Sequence, residues 1–235
     1  MVGVSSALAT VSVASMRAQA FALTGMKWDT DRYGYACDDY GASLFVWNPC
    51  HIDVSQSSNF DQRFGWYDSA TAADENWYVY DYSRGRDTFH YDNVSGNSAL
   101  VSMDAANLGY SSTSTYTIGY TTWYGVGGEL SSVAIQINDN SNVPWWTVDS
   151  GGSGADGSHL NIVQSMTHEL GHALGLHHPT RDESQSPLAV MECLQAYGEN
   201  HYTQPDDLNG VLYIYSGHGG DYGSPGPRPV KWCTR

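Results

Sequence analysis

The sequence predicts an α+β fold. Alternating apolar and polar residues indicate several strands before residue 140. A histidine-containing segment, residues 158–174, carries apolar residues at helical spacing, and a second amphipathic helical pattern covers residues 203–215. The 235 residues, 41% of them hydrophobic, suit one large domain or two small ones with a buried core.

The charge balance restricts the class of partner. The chain has 10 basic and 25 acidic residues, a formal net charge of −15. Such a surface repels phosphate backbones and anionic lipid headgroups. We therefore expect neither nucleic acid nor a membrane surface as a partner.

The N-terminal residues 1–22 are predicted to be a secretory signal peptide. A short apolar run precedes Ala18-Gln19-Ala20, which has the small-x-small pattern of a cleavage site. The run is too short and too interrupted by serine to span a bilayer, and we find no longer apolar stretch elsewhere. The expected product is a secreted, extracellular domain formed by residues 23–235.

Strand-like alternation occurs at residues 51–54, 77–82, 116–124 and 133–138. Between the second and third of these segments, Val101, Ala105 and Leu108 have helical spacing and Gly109 follows them. We therefore predict a helix over residues 98–108.

A glycine-rich stretch, residues 149–158, precedes the histidine-containing segment. It contains half of a calcium-binding β-roll repeat, but that architecture needs several stacked copies and only one is present. We interpret it as a flexible loop. The alternative is a single calcium ion held by Asp149 or Asp156.

The strongest motif is H-E-x-x-H-x-x-G-x-x-H, which covers residues 168–178. His168 and His172 are four residues apart, so on a helix both imidazoles lie on one face and can bind one ion. Glu169 lies beside the first histidine, where its carboxylate can act as a base. Gly175 can adopt a backbone conformation that other residues resist. Three protein ligands and one open position are typical of catalytic zinc.

The helix that carries the motif is expected to begin near residues 158–161, with Ser158 as its N-cap. The two motif histidines then face a cleft, and the opposite face is buried. The predicted buried stripe consists of Val163, Met166, Leu170 and Leu174.

The last predicted helix lies within residues 203–215. Thr203 can cap it, and Asp206 and Asp207 complement the helix dipole in its first turn. Glycines and prolines then indicate an irregular tail over residues 216–235. The predicted buried stripe of the helix consists of Leu208, Val211, Leu212 and Tyr215.

The extended histidine motif resembles that of the metzincin clan of zinc endopeptidases. Met191, shortly after the motif, is similar to the methionine of the clan's Met-turn, and the Asp-Asp-x-Asn-Gly run from Asp206 resembles the last helix of the matrixins. The resemblance implies a twisted mixed sheet with two long helices in an N-terminal lobe. It also implies a smaller, irregular C-terminal lobe that ends in a helix.

The resemblance further implies a secreted, monomeric zinc-dependent endopeptidase that cleaves protein or peptide substrates. In this interpretation His168, His172 and His178 bind zinc, and Glu169 is the general base for a zinc-activated water. The clan's spacing favours His178 over its neighbour His177 as third ligand. Substrate is expected to add as a strand to a sheet edge, for which residues 133–138 are the candidate.

Four cysteines, Cys37, Cys50, Cys193 and Cys233, permit three pairings. In an exported chain we expect two disulfides. Cys37–Cys50 would close a local loop, and Cys193–Cys233 would tie the tail to the segment after the candidate Met-turn. The alternative is four reduced thiols.

Two non-enzymatic interpretations compete with the peptidase. One is a domain that keeps zinc only as a structural ion, against which Glu169 argues, because a structural site has no use for that carboxylate. The other is an aromatic-rich carbohydrate-binding module with an incidental histidine cluster. The remaining histidines are scattered and predicted to be ordinary surface or core residues: His51, His90, His159, His201 and His218.

Overall fold

The structure of the protein is a computed structural model. It describes residues 22–28, 52–77, 89–91, 101–114, 116–150, 157–178, 190–192 and 203–215. The predictions for the four cysteines, for nearly all of the signal peptide and for the tail 216–235 concern residues outside these ranges.

Strands and helices both occur, as the sequence predicts. The strands are β1 (Ala22–Leu23), β2 (Lys27–Trp28), β3 (Ile52–Gln56), β4 (Phe89–Tyr91), β5 (Val101–Ala106), β6 (Gly119–Val126), β7 (Glu129–Asn138), β8 (Trp145–Trp146), β9 (Leu160–Asn161) and β10 (Leu176–His177). The helices are α1 (Ser58–Asp61), α2 (Trp66–Glu75), α3 (Ile162–Ala173) and α4 (Pro205–Tyr215), with a 3-10 turn at Val148–Ser150.

The main sheet is mixed. Strands β4, β3, β5 and β7 lie side by side in parallel, β6 adds to β7 in antiparallel orientation, and β2 pairs in parallel with the beginning of β7. This confirms the α+β, metzincin-like fold class. The predicted substrate edge at residues 133–138 is wrong, because this part of β7 is paired with β5 on one side and β6 on the other. Among the described strands, β6 is the edge on this side.

The predicted helix over residues 98–108 is also wrong, because residues 101–106 form β5. Val101 and Ala105 fit a helical period and a period of two equally well. Met103 decides between them: it is buried like Val101, whereas Ser102 is exposed. Alternation of that kind places one face of a strand against a core.

A different segment forms the first long helix. Residues 66–75 are helical, and Trp77, predicted to begin a strand, lies in the turn after α2. Residues 78–82 of that predicted strand lie outside the described ranges. Ala70 and Ala73 are fully buried on α2, and such small side chains let the helix pack closely.

The core lies between the sheet and the helices α2 and α3. Each large apolar side chain buried here stabilises the fold by roughly 1.5–3 kcal/mol. The core residues from the sheet include Ile52, Val54, Met103, Val133, Ile135 and Ile137, and those from α3 include Ile162, Met166, Leu170 and Ala173.

Helix α3 begins one residue after Asn161, whose side-chain oxygen accepts the main-chain N–H of Val163 at 2.9 Å and of Gln164 at 3.3 Å. Asn161 is therefore the N-cap, and the prediction of Ser158 is wrong. The predicted stripe on α3 is buried. In α3 only His168 is partly exposed.

No helix among the described residues is long and apolar enough to cross a membrane.

Candidate functional site

Three histidine rings meet at the end of α3. His168 and His172 lie one turn apart on the helix. The Nε2 atom of His178 lies 2.8 Å from Nε2 of His168 and 2.9 Å from Nε2 of His172. The structure thus brings together the three histidines of the sequence motif in one group.

The return of the chain after α3 depends on Gly175. Its φ is +91°, in the left-handed region, and a Cβ there would lie 2.3 Å from the main-chain oxygen of Met26. The Gly175 carbonyl accepts the N–H of Thr24 at 2.9 Å. Strand β1 then pairs with β10 and holds the segment that leads to His178.

Main-chain carbonyls orient the two helix histidines. Nδ1 of His168 lies 2.7 Å from the carbonyl oxygen of Val190, and Nδ1 of His172 lies 2.9 Å from that of Leu176. Because a carbonyl only accepts, each Nδ1 carries the hydrogen, and in the neutral ring each Nε2 presents a lone pair. This is the usual arrangement around metal-binding histidines.

The electrostatics of the group favour neutral rings. Burial lowers the pKa of His172 well below its usual value, and the nearby His168 adds to that effect. Burial also lowers the pKa of His178. Neutral imidazoles are the form that binds a cation, and three converging imidazole nitrogens are a ligand set typical of catalytic zinc.

His177 lies next to the group and not in it. Its Nδ1 accepts the main-chain N–H of His178 at 2.7 Å. Its ring stacks on Trp123 with the centroids 6.5 Å apart. The geometry therefore agrees with the motif spacing, which favours His178 over His177.

Glu169 is buried between α3 and the edge strand β6. Only 5% of its surface is exposed, and the hydroxyl of Thr121 donates a hydrogen bond to its Oε2. Burial raises the pKa of Glu169 from 4.5 to about 7, and the hydrogen bond from Thr121 opposes that rise. A carboxylate with a pKa near neutrality can both accept and return a proton.

Met191 packs against Gly171 of α3, the residue before His172. A Cβ added to Gly171 would lie 2.3 Å from Sδ of Met191, so the missing side chain makes room for the sulfur. Main-chain N–H groups of Val190 and Met191 donate to the buried carboxylate of Asp207, at 3.0 and 3.4 Å. Helix α4 thereby holds the turn that contains Met191.

The start of α4 differs from the prediction by one residue. The carbonyl of Gln204 accepts the first helical N–H, from Leu208, at 3.1 Å, so Gln204 and not Thr203 is the N-cap. The Asp207 carboxylate accepts the Gln204 N–H at 2.8 Å, as the third residue of a capping box does. The Thr203 hydroxyl donates instead to the carbonyl oxygen of Asn76.

The family model described as Matrixin matches residues 53–216, which is more than half of the chain. The chain belongs to the matrixin family. Matrixins are zinc metalloendopeptidases, so this chain is a zinc-dependent peptidase that acts on protein substrates with catalytic zinc. The two non-enzymatic interpretations of the sequence are thereby wrong.

Three contacts of this matrixin site were not anticipated from the sequence. Gly119, Thr121 and Trp123 alternate along β6 and all reach α3 from the inner face of the strand. The period-2 pattern could have placed them on one face, but nothing in the sequence shows that this face meets α3.

A single calcium ion held by Asp149 or Asp156 stays a prediction. Of the two candidate residues, Asp149 lies in the 3-10 turn and Asp156 lies outside the described residues. Among the described residues, the three-histidine group is the one cluster of histidine, cysteine and carboxylate side chains that could hold a metal.

Proposed function

We propose that this matrixin is a secreted endopeptidase in which His168, His172 and His178 hold the zinc ion and Glu169 is the general base. One observation carries the proposal: three histidine ring nitrogens converge on one point, and the residue that follows the first of these histidines on α3, Glu169, is buried. The carbonyls that fix two of the rings support the assignment, because they place the hydrogen on Nδ1 and the lone pair on Nε2, the form of the ring that binds a cation.

Zinc, when bound, supplies a Lewis acid that lowers the pKa of water from 15.7 toward about 7 and polarises the scissile carbonyl. Glu169 accepts the proton as water attacks that carbonyl. The resulting carboxylic acid then gives the proton to the nitrogen of the leaving amine. Burial raises the pKa of Glu169 and so favours its protonated form, which helps the carboxylate to accept the proton.

Burial supports this role of Glu169 over a purely structural one. Placing a carboxylate out of water costs free energy, and its pKa shift records that cost. A site that bound zinc only for stability would gain nothing from such a group. A proton acceptor beside an open metal position does gain from it.

We propose that substrate adds as a strand to the edge of β6. The opposite side of β6 is paired with β7 along Gly119–Val126. An extended peptide on the remaining edge would lie beside Thr121, which touches Glu169. Main-chain hydrogen bonds would then hold the peptide, and pockets for alternate side chains would select it.

Secretion and a monomeric state complete the proposal. The apolar start of the chain with its small-x-small site supports export. The net charge of −15 supports an uncomplexed, soluble domain that avoids anionic partners.

Hydrolysis of casein or gelatin, with and without a zinc chelator, tests the proposal. We expect cleavage by the zinc-loaded protein, none after the chelator, and recovery when zinc is returned. His168→Ala should not recover, whereas the control His159→Ala should, because His159 lies outside the histidine group. Full cleavage by protein shown to be free of zinc would contradict the proposal.

A further inference from the structure

The inner face of β6 is built around the catalytic helix. Trp123 donates from Nε1 to the main-chain oxygen of His172 at 2.8 Å, which fixes the strand against α3. Two residues earlier, the Thr121 hydroxyl reaches Glu169, and two residues before that Gly119 faces the same carboxylate. Because side chains alternate along a strand, all three contacts follow from one register of β6 on α3.

The Thr121 hydroxyl forms its shorter contact with Oε2 of the Glu169 carboxylate. The hydroxyl lies 2.5 Å from Oε2 and 3.4 Å from the main-chain oxygen of the same residue. A hydroxyl has one proton to donate, and the charged, nearer oxygen takes it. Thr121 is only 5% exposed, and its β-branched side chain has little rotational freedom, so the bond is fixed in direction.

Gly119 leaves space for the other oxygen. A Cβ at this position would lie 2.4 Å from Oε1 and 2.8 Å from Cδ of Glu169. No real side chain tolerates such distances without displacement of the carboxylate. The missing Cβ therefore keeps a place for Oε1 at the edge strand, whereas Oε2 is occupied by Thr121.

We propose that Thr121 is a positioning residue that fixes Oε2 of Glu169 and leaves Oε1 as the oxygen that accepts the proton from water. The inference rests on the proposed function, because it gives the Glu169 carboxylate one defined orientation for that step. A group that must accept a proton within hydrogen-bond distance reacts fastest when it needs no reorientation. Thr121 touches neither substrate nor metal in this role and acts through Glu169.

The test compares Thr121→Val, which removes only the hydroxyl, with Thr121→Ser, which keeps it. Thr147→Val is the matched control: Thr147 is 4% exposed and its hydroxyl lies 3.0 Å from Oγ of Ser150. Both valine variants therefore lose one buried hydroxyl contact. Zinc per chain, the unfolding midpoint, kcat and KM are measured for every zinc-loaded variant.

For Thr121→Val we expect a fall in kcat of roughly 10- to 100-fold, the size typical of a misplaced catalytic group, with KM and zinc content within about twofold of the unchanged protein. Thr121→Ser should recover most of the lost kcat. Thr147→Val should lower the unfolding midpoint by a similar amount but keep kcat. That pattern separates positioning from general stability.

Either of two results would overturn the inference: a Thr121→Val enzyme with kcat within about twofold of the unchanged protein, or a Thr121→Ser enzyme as slow as Thr121→Val. Glu169→Gln, measured in parallel, separates this failure from failure of the proposed function. If Glu169→Gln is inactive and Thr121→Val is not, only the role of Thr121 is wrong. If Glu169→Gln is active, both are wrong.

Discussion

Asp207 and His168 bind opposite ends of one residue, Val190. The Asp207 carboxylate accepts the main-chain N–H of Val190 at 3.0 Å. The carbonyl oxygen of Val190 lies 2.7 Å from Nδ1 of His168. The last helix is thus connected to a zinc-binding candidate through a single residue. Substitution of Asp207 should therefore lower zinc affinity as well as the stability of the fold.

Asp207→Asn should lower both stability and zinc affinity. The carboxylate accepts N–H groups from Val190, Met191 and Gln204 through both of its oxygens, and an amide replaces one of these oxygens with an NH2 group that can only donate. We expect a loss of about 1–3 kcal/mol in the free energy of unfolding. Chemical denaturation and zinc titration measure the two effects, and Asp68→Asn on the exposed face of α2 is the control. An unchanged free energy of unfolding and an unchanged zinc affinity for Asp207→Asn would show that the contacts of Asp207 support neither the fold nor the metal site.

His178→Ala should sharply reduce zinc binding, whereas His177→Ala should change it little. The first removes a ring whose Nε2 lies within 2.9 Å of both helix histidines, and the second removes a ring that stacks on Trp123. Bound zinc per chain is the measurement. The reverse ranking would assign the third ligand to His177.

Gly119→Ala should reduce peptidase activity without loss of zinc. The added methyl would approach Oε1 of Glu169 to 2.4 Å, so the carboxylate must move. A shift of about 1 Å in a catalytic group can cost on the order of 100-fold in rate. Gly157→Ala is the control, because a Cβ there meets no atom within 4 Å, although its φ of +72° adds backbone strain. Equal activity in the two variants would mean that Glu169 tolerates the displacement.

The stability of the zinc-free protein should depend on pH through Glu169. The pKa of this group is about 7 in the folded chain and 4.5 as a reference value for the unfolded chain. Between these values the unfolded chain releases the proton while the folded chain keeps it. The contribution of Glu169 to stability should therefore fall by up to roughly 3 kcal/mol as pH rises from 4.5 to 7, whereas the lowered pKa values of His172 and His178 make their contributions rise with pH.

Glu169→Gln cannot titrate and provides the reference for that measurement. The difference in unfolding free energy between the two zinc-free proteins should change in favour of the glutamine variant as pH rises. A difference that stays constant from pH 4.5 to 7 would show that the carboxyl group is not desolvated as the fold implies.

The local part of the site could be predicted from the sequence, because its geometry follows from short spacing. His168 and His172 meet because a helix brings residues four apart onto one face, and Gly175 returns the chain to His178. The contact between Thr121 and Glu169 could not, since it joins residues 48 positions apart. It depends on how the edge strand sits on the helix, which no local pattern encodes.

The errors in the fold have similar physical causes. Residues 101–106 were predicted to be helical because Val101 and Ala105 satisfy two periods at once, and pairing with β3 and β7 selects the strand. Residues 133–138 were predicted to be an edge, but β6 folds back as a hairpin and covers them. In both cases neighbouring strands decide the outcome, and the sequence does not state which strands are neighbours.

Glu169→Gln tests most directly whether this carboxylate performs the proton transfer. The two side chains have nearly the same shape, but the amide cannot accept the proton. We expect the variant to fold, to bind one zinc ion per chain as the unchanged protein does, and to lose peptidase activity by about 10²–10⁴-fold. Activity within a few-fold of the unchanged protein, at full zinc content, would contradict the assignment of Glu169 as general base.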